Sequence, residues 1–143
     1  MPQHQLHFTA QVDAPLAAVF ELFADHRRFS WLFGMPCRVV ATGRDEPHGV
    51  GSVRRLLAGP LSFDETVIAF ERDRAIDYRI SRGGPLKNHL GQIRFRDDGK
   101  RTLVDYRIGF DARIPGTGAL LARTLSLGWH LNSGRVLRAL PPR

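Results

Sequence analysis

A single glutamate interrupts an apolar row in the segment SFDETVIAF, residues 62–70. Side chains alternate between the two faces of a β-strand. Glu65 therefore shares a face with three apolar residues, Phe63, Val67 and Ala69. A carboxylate in such a row is costly unless a partner compensates its charge. Glu65 is the first candidate site residue, and Phe63 is a candidate ligand contact beside it.

The preceding segment supplies two candidate partners for this carboxylate, Arg54 and Arg55. A two-residue loop at Gly59-Pro60 would place Arg54 directly opposite Glu65, whereas a three-residue loop would place Arg55 diagonal to it. The second register gives the more apolar inner face. We therefore expect an inward pair between Glu65 and Arg55, with Arg54 as the alternative.

Three further polar side chains lie in apolar rows by the same alternation: Tyr78, His89 and Tyr106. Gly91 leaves space beside His89, as a strand glycine does where another group approaches the backbone. Two predicted helices offer apolar walls, formed by Trp31, Phe33, Leu125 and Trp129. An apolar pocket with a few convergent polar groups is what a small-molecule site needs.

These residue types can perform acid–base chemistry on a carbonyl compound. An arginine such as Arg55 can hold an oxyanion through its fixed donor fork. His89, with an unperturbed pKa near ~6.5, or Glu65 can act as the base, and a tyrosine can donate a proton. The same groups can also anchor the polar end of a bound molecule without catalysis. Both interpretations stay open.

The elements that must position these residues follow from the hydrophobic periodicity. Residues 5–12 alternate as a strand, and the segments LAAVFELFA and HRRFSWLF predict two helices. Between residues 37 and 112 the period changes to two, and turn signals divide this stretch into six strands. The final pattern, ALLARTLSLGWHLNSGRVLRAL, predicts a long amphipathic helix that contains Gly128 and Gly134.

The predicted order is β-α-α-β-β-β-β-β-β-α in a single domain over residues 1–143. An antiparallel sheet of seven strands needs a cover on one face, and the final helix is the predicted element large enough to provide it. The fold class is therefore α+β.

Six motifs stand at successive places in this order: VDAPLAAVFELFAD, GVGSVRRL, ETVIAFERDRAIDYRI, NHLGQIRF, TLVDYRIGF and IPGTG. The order and these motifs resemble the helix-grip arrangement of the START-like, or SRPBCC, superfamily, including its polyketide cyclase/dehydrase type. The resemblance implies a curved seven-stranded sheet wrapped on the long C-terminal helix, with a deep cavity of roughly 300–1,000 Å³ between them. It also implies an apolar or amphipathic small-molecule ligand and no nucleotide or metal cofactor.

The resemblance therefore implies a protein that binds a hydrophobic or aromatic small molecule, with polyketide cyclase/dehydratase-like activity as one option. A second option is a non-catalytic lipid or quinone carrier or sensor. A third is a protein- or RNA-interaction module, which is favoured by the net charge alone.

The composition argues against several other classes. No apolar run approaches the ~18 residues of a membrane span, and the N-terminus lacks the pattern of a signal peptide, so we expect a cytoplasmic protein. Cys37 is the lone cysteine, which excludes an internal disulfide. The formal net charge of +7 comes from arginines that mostly alternate with acids, so nucleic acid is not the expected partner. The oligomeric state stays open, with a homodimer as one option.

Overall fold

The computed structural model describes residues 2–142, which form one curved antiparallel sheet and three α-helices. The sheet has the spatial order β1-β7-β6-β5-β4-β3-β2, so consecutive strands from β2 to β7 are neighbours and β1 pairs with β7. The strands are β1 (His4–Val12), β2 (Cys37–Ala41), β3 (Val53–Leu56), β4 (Phe63–Glu71), β5 (Ala75–Gly83), β6 (Leu86–Asp97) and β7 (Thr102–Ala112).

Two short helices connect β1 to β2. Helix α1 (Leu16–Ala24) buries apolar residues spaced three and four apart, including Phe20 and Phe23. Asp25 then caps α2 (His26–Ser30), because its carboxylate accepts hydrogen bonds from two backbone amides of the first turn. A 3-10 turn at Trp31–Phe33 follows α2. Both helices and the preceding strand were predicted from the sequence.

The long helix α3 (Gly118–Arg138) follows β7 and covers the concave face of the sheet. The Trp129 ring stacks on Phe8 of β1, with 4.9 Å between the ring centroids. At Gly128 an added Cβ would lie 2.9 Å from the Phe33 carbonyl oxygen, so this glycine allows α3 to cross the 3-10 turn closely. The predicted element order and the predicted α+β fold class are confirmed.

The core lies between the concave face and the helices. It includes apolar residues from β1, β6, β7 and α1, namely Phe8, Ile93, Phe95, Val104, Ile108, Phe110, Val19, Phe20 and Phe23. Among residues 2–142 no helix is long and apolar enough to cross a membrane.

Candidate functional site

A buried ion pair lies on the concave face where β3 meets β4. Arg54 and Glu65 are directly opposite in the register, and Arg54 Nε donates to Glu65 Oε1 at 2.7 Å. The two residues are 1% and 6% exposed. The apolar row around the glutamate thus encloses a compensated carboxylate, as the physical argument from the sequence required.

The expectation that Arg55 faces inward is wrong. Arg55 lies on the opposite face, where its Nε donates to Asp64 Oδ1 at 2.7 Å and its Nη2 to Oδ2 at 3.2 Å. The connection from β3 to β4 spans residues 57–62 and contains a 3-10 turn. This loop has an even number of residues, so it gives the same register as the two-residue alternative, and alternation then turns Arg54 inward.

A directed chain of hydrogen bonds continues from Arg54 to Ser52. The guanidinium can only donate, so in the 3.1 Å contact between Arg54 Nη1 and His26 Nδ1 the imidazole nitrogen accepts. The His26 proton is then on Nε2, which lies 3.0 Å from Ser52 Oγ. Ser52 in turn donates to the Gly49 carbonyl at 2.6 Å. Arg54 Nη1, His26 Nε2 and Ser52 Oγ thus each donate to the next acceptor along the chain.

His26 is held neutral in this network. Burial is the main cause that lowers its pKa to about 2, and the charge of Arg54 and the neighbouring His48 lower it further. The His48 ring packs edge-on against His26, with 4.5 Å between the centroids. A neutral His26 is the form that can accept from Arg54, so the pKa and the hydrogen-bond directions agree.

Arg54 also packs between two aromatic rings. Its Cζ lies 4.1 Å from the centroid of Phe29 and 4.6 Å from that of Tyr78, a geometry that favours a guanidinium. The remaining nitrogen, Nη2, is buried and has no hydrogen-bond partner among residues 2–142. An unsatisfied charged donor in a protein interior is costly, and such a group marks a candidate binding position.

His89 lies on the buried side of β6, in alternation with Gly91, Ile93 and Phe95. The pairing of β6 with β7 shifts register between Lys87 and Leu90, and Asn88 has a φ of 52°. Because of this bulge, Leu86 is buried as well, although it stands three positions before His89. The local alternation predicted an inward His89, but it did not predict the bulge.

The same histidine fills a gap where β5 and β6 separate. The described pairing of these strands ends at Tyr78 and Gly91, and beyond it the backbone N–H of Ile80 donates to His89 Nδ1 at 3.0 Å. Burial lowers the pKa of His89, with a smaller contribution from Arg54, while Glu65 opposes the shift. The neutral ring that accepts at Nδ1 carries its proton on Nε2, so it offers one further donor.

The two tyrosines are buried and their hydroxyl groups are hydrogen-bonded to each other. Burial raises the pKa of both phenols well above the ordinary value. The space at Gly91 belongs to this pair and is not open to a ligand, which corrects the expectation for that glycine. Tyr78 lies opposite Gly91, where a Cβ would lie 2.3 Å from the Tyr78 ring.

A small inner pocket lies beside Glu65 and His89, between the sheet and α3. Its volume is about 40 Å³, which is enough for a few water molecules. The predicted volume of roughly 300–1,000 Å³ is therefore not found in this closed arrangement. The lining residues are Phe29, Ser30, Phe33, Met35, Leu56, Phe63, Glu65, Tyr78, Ile80, Leu86, His89, Ile108 and Leu125.

Three of the five predicted apolar contacts line the inner pocket, and two do not. Phe33, Phe63 and Leu125 line the inner pocket. Trp129 instead packs in the core against Phe8, and Trp31 is 48% exposed in an outer groove beside the end of α3. The prediction of an inward Trp31 is wrong, because the chain changes at Trp31 from an α-helix to a 3-10 turn with fewer residues per turn.

A larger depression of about 610 Å³ lies on the other side of the sheet. It is lined largely by polar and charged side chains of the outer face, including Arg94, Arg96 and Asp105. None of the candidate site residues lines it. Among residues 2–142 no group of three or more His, Cys, Asp or Glu side chains is placed to hold a metal ion.

Sequence reasoning did not select His26 or Ser52, although both contribute to the Arg54 network. Helical spacing offered one signal for His26, because it stands three residues before Phe29 in α2 and both are buried. Ser52 precedes β3 in a loop segment, where alternation gives no information.

The architecture and the partly polar inner pocket define a class of protein. The sheet wrapped around a long C-terminal helix is the helix-grip fold of the START-like superfamily, a fold that binds hydrophobic ligands. The chain belongs to the family described as "Polyketide cyclase / dehydrase and lipid transport", whose model matches residues 3–140. The predicted superfamily and type are confirmed.

Solved structures share this fold at low sequence identity. The Zhui aromatase/cyclase from Streptomyces sp. R1128 has a TM-score of 0.75 and 19% identity, covering 94% of this chain and 91% of that chain. A START superfamily protein from Mycobacterium smegmatis has a TM-score of 0.74 and 17% identity, covering 94% of each chain. A protein from Thermobifida fusca has a TM-score of 0.72 and 21% identity, covering 94% and 90%. A search of curated proteins found no match to this sequence.

Proposed function

We propose that the protein binds a hydrophobic, preferably aromatic, small molecule that carries a hydroxyl group beside a carbonyl group. The observation that supports this proposal is the composition of the inner pocket, where Glu65 and His89 are polar groups among mostly apolar side chains. Such a pocket buries an apolar body and fixes its orientation by a few hydrogen bonds. The family description and the fold favour the same class of ligand.

The two polar groups offer complementary hydrogen bonds. Glu65 uses Oε1 for Arg54, and its second oxygen, Oε2, can accept from a ligand hydroxyl. His89 uses Nδ1 for Ile80, so its Nε2–H can donate to a ligand carbonyl. A ligand with adjacent donor and acceptor groups satisfies both, whereas a hydrocarbon satisfies neither.

Binding requires the pocket to expand from about 40 Å³. Among residues 2–142 no backbone hydrogen bond joins α3 to the sheet, so an outward movement of α3 breaks side-chain contacts and leaves the strand ladder intact. The mobile wall in this proposal consists of Leu125 on α3 and Phe33 on the 3-10 turn. Their displacement has an energetic cost, which the burial of an apolar ligand offsets.

A second candidate function is a cyclisation with loss of water. The inner pocket is lined by a buried carboxylate, Glu65, and a neutral histidine, His89, and this combination favours such a reaction. Glu65 would remove a proton from a carbon beside one carbonyl, and that carbon would form the ring by bonding to the carbon of a second carbonyl in the same substrate. His89 would donate a hydrogen bond from Nε2–H to the oxyanion that develops there, and the protonated Glu65 would return the proton to it and give a hydroxyl. Glu65 would then remove a second proton from the attacking carbon, the carbon–oxygen bond would break, and the hydroxyl would leave as water with that proton, which leaves a carbon–carbon double bond. Arg54 would hold Glu65 in place through the hydrogen bond from its Nε. Arg55, bound to Asp64 on the outer face, has no part in this scheme.

The test uses 2-acetyl-1-naphthol, a fluorescent compound with a hydroxyl beside a ketone, and naphthalene as the matched hydrocarbon. We expect saturable binding of the naphthol and at least about tenfold weaker binding of naphthalene. Leu125→Trp should fill the pocket and weaken naphthol binding at least about tenfold. Leu131→Trp, on the outward face of the same helix, should leave binding unchanged. Equal effects of the two tryptophans, or no saturable binding, would overturn the proposal.

A further inference from the structure

The outward face of α3 carries an exposed apolar stripe. Leu120, Leu127 and Leu131 are 67%, 58% and 68% exposed, and their spacing of seven and four residues places them on one side of the helix. Thr124 lies in the same row and donates its hydroxyl to the Leu120 carbonyl at 2.9 Å, so its donor is already used. The inner face of α3 packs on the sheet through other residues. The fold therefore leaves a second apolar face without a role.

Arginines surround this leucine stripe. At about 100° per residue, Arg123 and Arg135 lie roughly 60° to either side of it, and Arg138 lies in line at its C-terminal end. All three are exposed. The chain after Asp111 contains five arginines and no aspartate or glutamate. An apolar stripe with a purely cationic border is the pattern of a helix that lies at a lipid surface.

We propose that the outward face of α3 docks the protein on an anionic lipid bilayer. The three leucines enter the boundary between headgroups and acyl chains, and the arginines meet the negative headgroups. An arginine near such a surface raises the affinity roughly fivefold. The docking face is separate from the inner pocket, so this proposal does not depend on the ligand.

A second copy of the chain is a poorer occupant of the same face. A symmetric dimer through α3 would use the same patch on both copies. Arg123, Arg135 and Arg138 of one copy would then approach the like charges of the other, and α3 itself supplies no acid to compensate them. An anionic bilayer compensates these charges directly.

The test is sedimentation of the full chain with vesicles. We expect binding to vesicles of equal parts phosphatidylcholine and phosphatidylglycerol, and little binding to phosphatidylcholine alone. The double variant Leu127→Ser, Leu131→Ser should bind the mixed vesicles at least about tenfold more weakly. The control pair is Val40→Ser, Ile68→Ser, at positions of the sheet that are each 44% exposed, and it should bind like the unchanged protein.

A second comparison separates local charge from net charge. Arg123→Gln, Arg135→Gln should weaken binding at least about tenfold, whereas Arg79→Gln, Arg96→Gln removes the same charge from the sheet and should have a much smaller effect. Circular dichroism and thermal unfolding check that each variant folds. Failure to bind the mixed vesicles, or equal losses from helix and sheet variants, would overturn the proposal. So would a dimer that dissociates when the leucines are replaced and does not bind vesicles.

Discussion

At the scale of single residues, Arg54 connects most of the buried polar groups near the inner pocket. It donates to Glu65 and to His26, and its guanidinium packs between Phe29 and Tyr78. Glu65, Phe29 and Tyr78 line the pocket, whereas Arg54 lies behind them. In the proposed function, Arg54 holds the Glu65 carboxylate towards a ligand and compensates the charge of that carboxylate.

The Arg54–Glu65 pair gives a first prediction. Glu65→Ala leaves a buried guanidinium without its counter-charge, so the free energy of unfolding should fall by about 3–5 kcal/mol. The double variant Arg54→Met, Glu65→Leu removes both charges and should recover much of this loss. Urea unfolding measures both values.

Arg55, on the opposite face of β3, provides a control for this prediction. Arg55→Met removes the neighbouring arginine, whose side chain is 27% exposed although its partner Asp64 is buried, so it should destabilise less than Arg54→Met, whose side chain is 2% exposed. A loss below about 1 kcal/mol for Glu65→Ala is the value of a solvated surface pair and would contradict the buried pair.

The two buried histidines predict how stability depends on pH. The folded-state pKa of His26 is lowered to about 2 and that of His89 is also lowered, while an unfolded histidine titrates near ~6.5. Below ~6.5 the unfolded chain therefore binds protons that the folded chain does not. Stability is present above this pH and is lost as the pH falls, by about 1.4 kcal/mol per pH unit for His26. His89 contributes in the same direction.

Urea unfolding between about pH 7 and about pH 5 tests this dependence. His26→Gln keeps an acceptor for Arg54 and a donor for Ser52, and it should reduce the slope by about one proton. Thr9→Gln is the control, because it changes an exposed position that carries no titratable side chain, and it should leave the slope unchanged. A slope that His26→Gln does not alter would show that His26 is not held neutral.

At the scale of elements, two glycines in the interior of α3 have different surroundings. A Cβ at Gly128 would lie 2.9 Å from the fixed carbonyl oxygen of Phe33, whereas a Cβ at Gly134 would lie 2.9 Å from the flexible end of Arg138. Gly128→Ala should therefore destabilise the protein by about 1–3 kcal/mol. Gly134→Ala should stabilise it by up to about 1 kcal/mol through helix propensity. Thermal unfolding checks the two signs, and equal signs would contradict the close crossing at Phe33.

The elements also explain which parts of the site were predictable from the sequence. Alternation within a strand correctly placed Glu65, Tyr78, His89 and Tyr106 on the inner face, because it is local. The choice between Arg54 and Arg55 depends on the conformation of residues 57–62, which local alternation does not determine. The prediction for Trp31 was wrong for a similar reason, because the change from an α-helix to a 3-10 turn at this residue alters the direction of its side chain.

At the scale of the whole molecule, the order of elements determined the fold, because a seven-stranded antiparallel sheet has one long helix available to cover it. The pocket volume was not predictable, because it depends on how closely large side chains meet across the sheet and α3. Phe33, Phe63 and Leu125 fill much of the space that the resemblance to a cavity-forming fold implied. A cytoplasmic location and the absence of specific nucleic-acid binding stay predictions.

The most direct test of ligand binding in the inner pocket is a crystal structure of the protein with 2-acetyl-1-naphthol. We expect the naphthyl ring to lie between α3 and the sheet, beside Phe33 and Leu125, in a pocket enlarged from about 40 Å³. We also expect the hydroxyl to donate a hydrogen bond to Glu65 Oε2 and the ketone oxygen to accept one from His89 Nε2. A compound bound in the charged depression on the outer face, or one whose polar groups point away from Glu65 and His89, would contradict the proposed function.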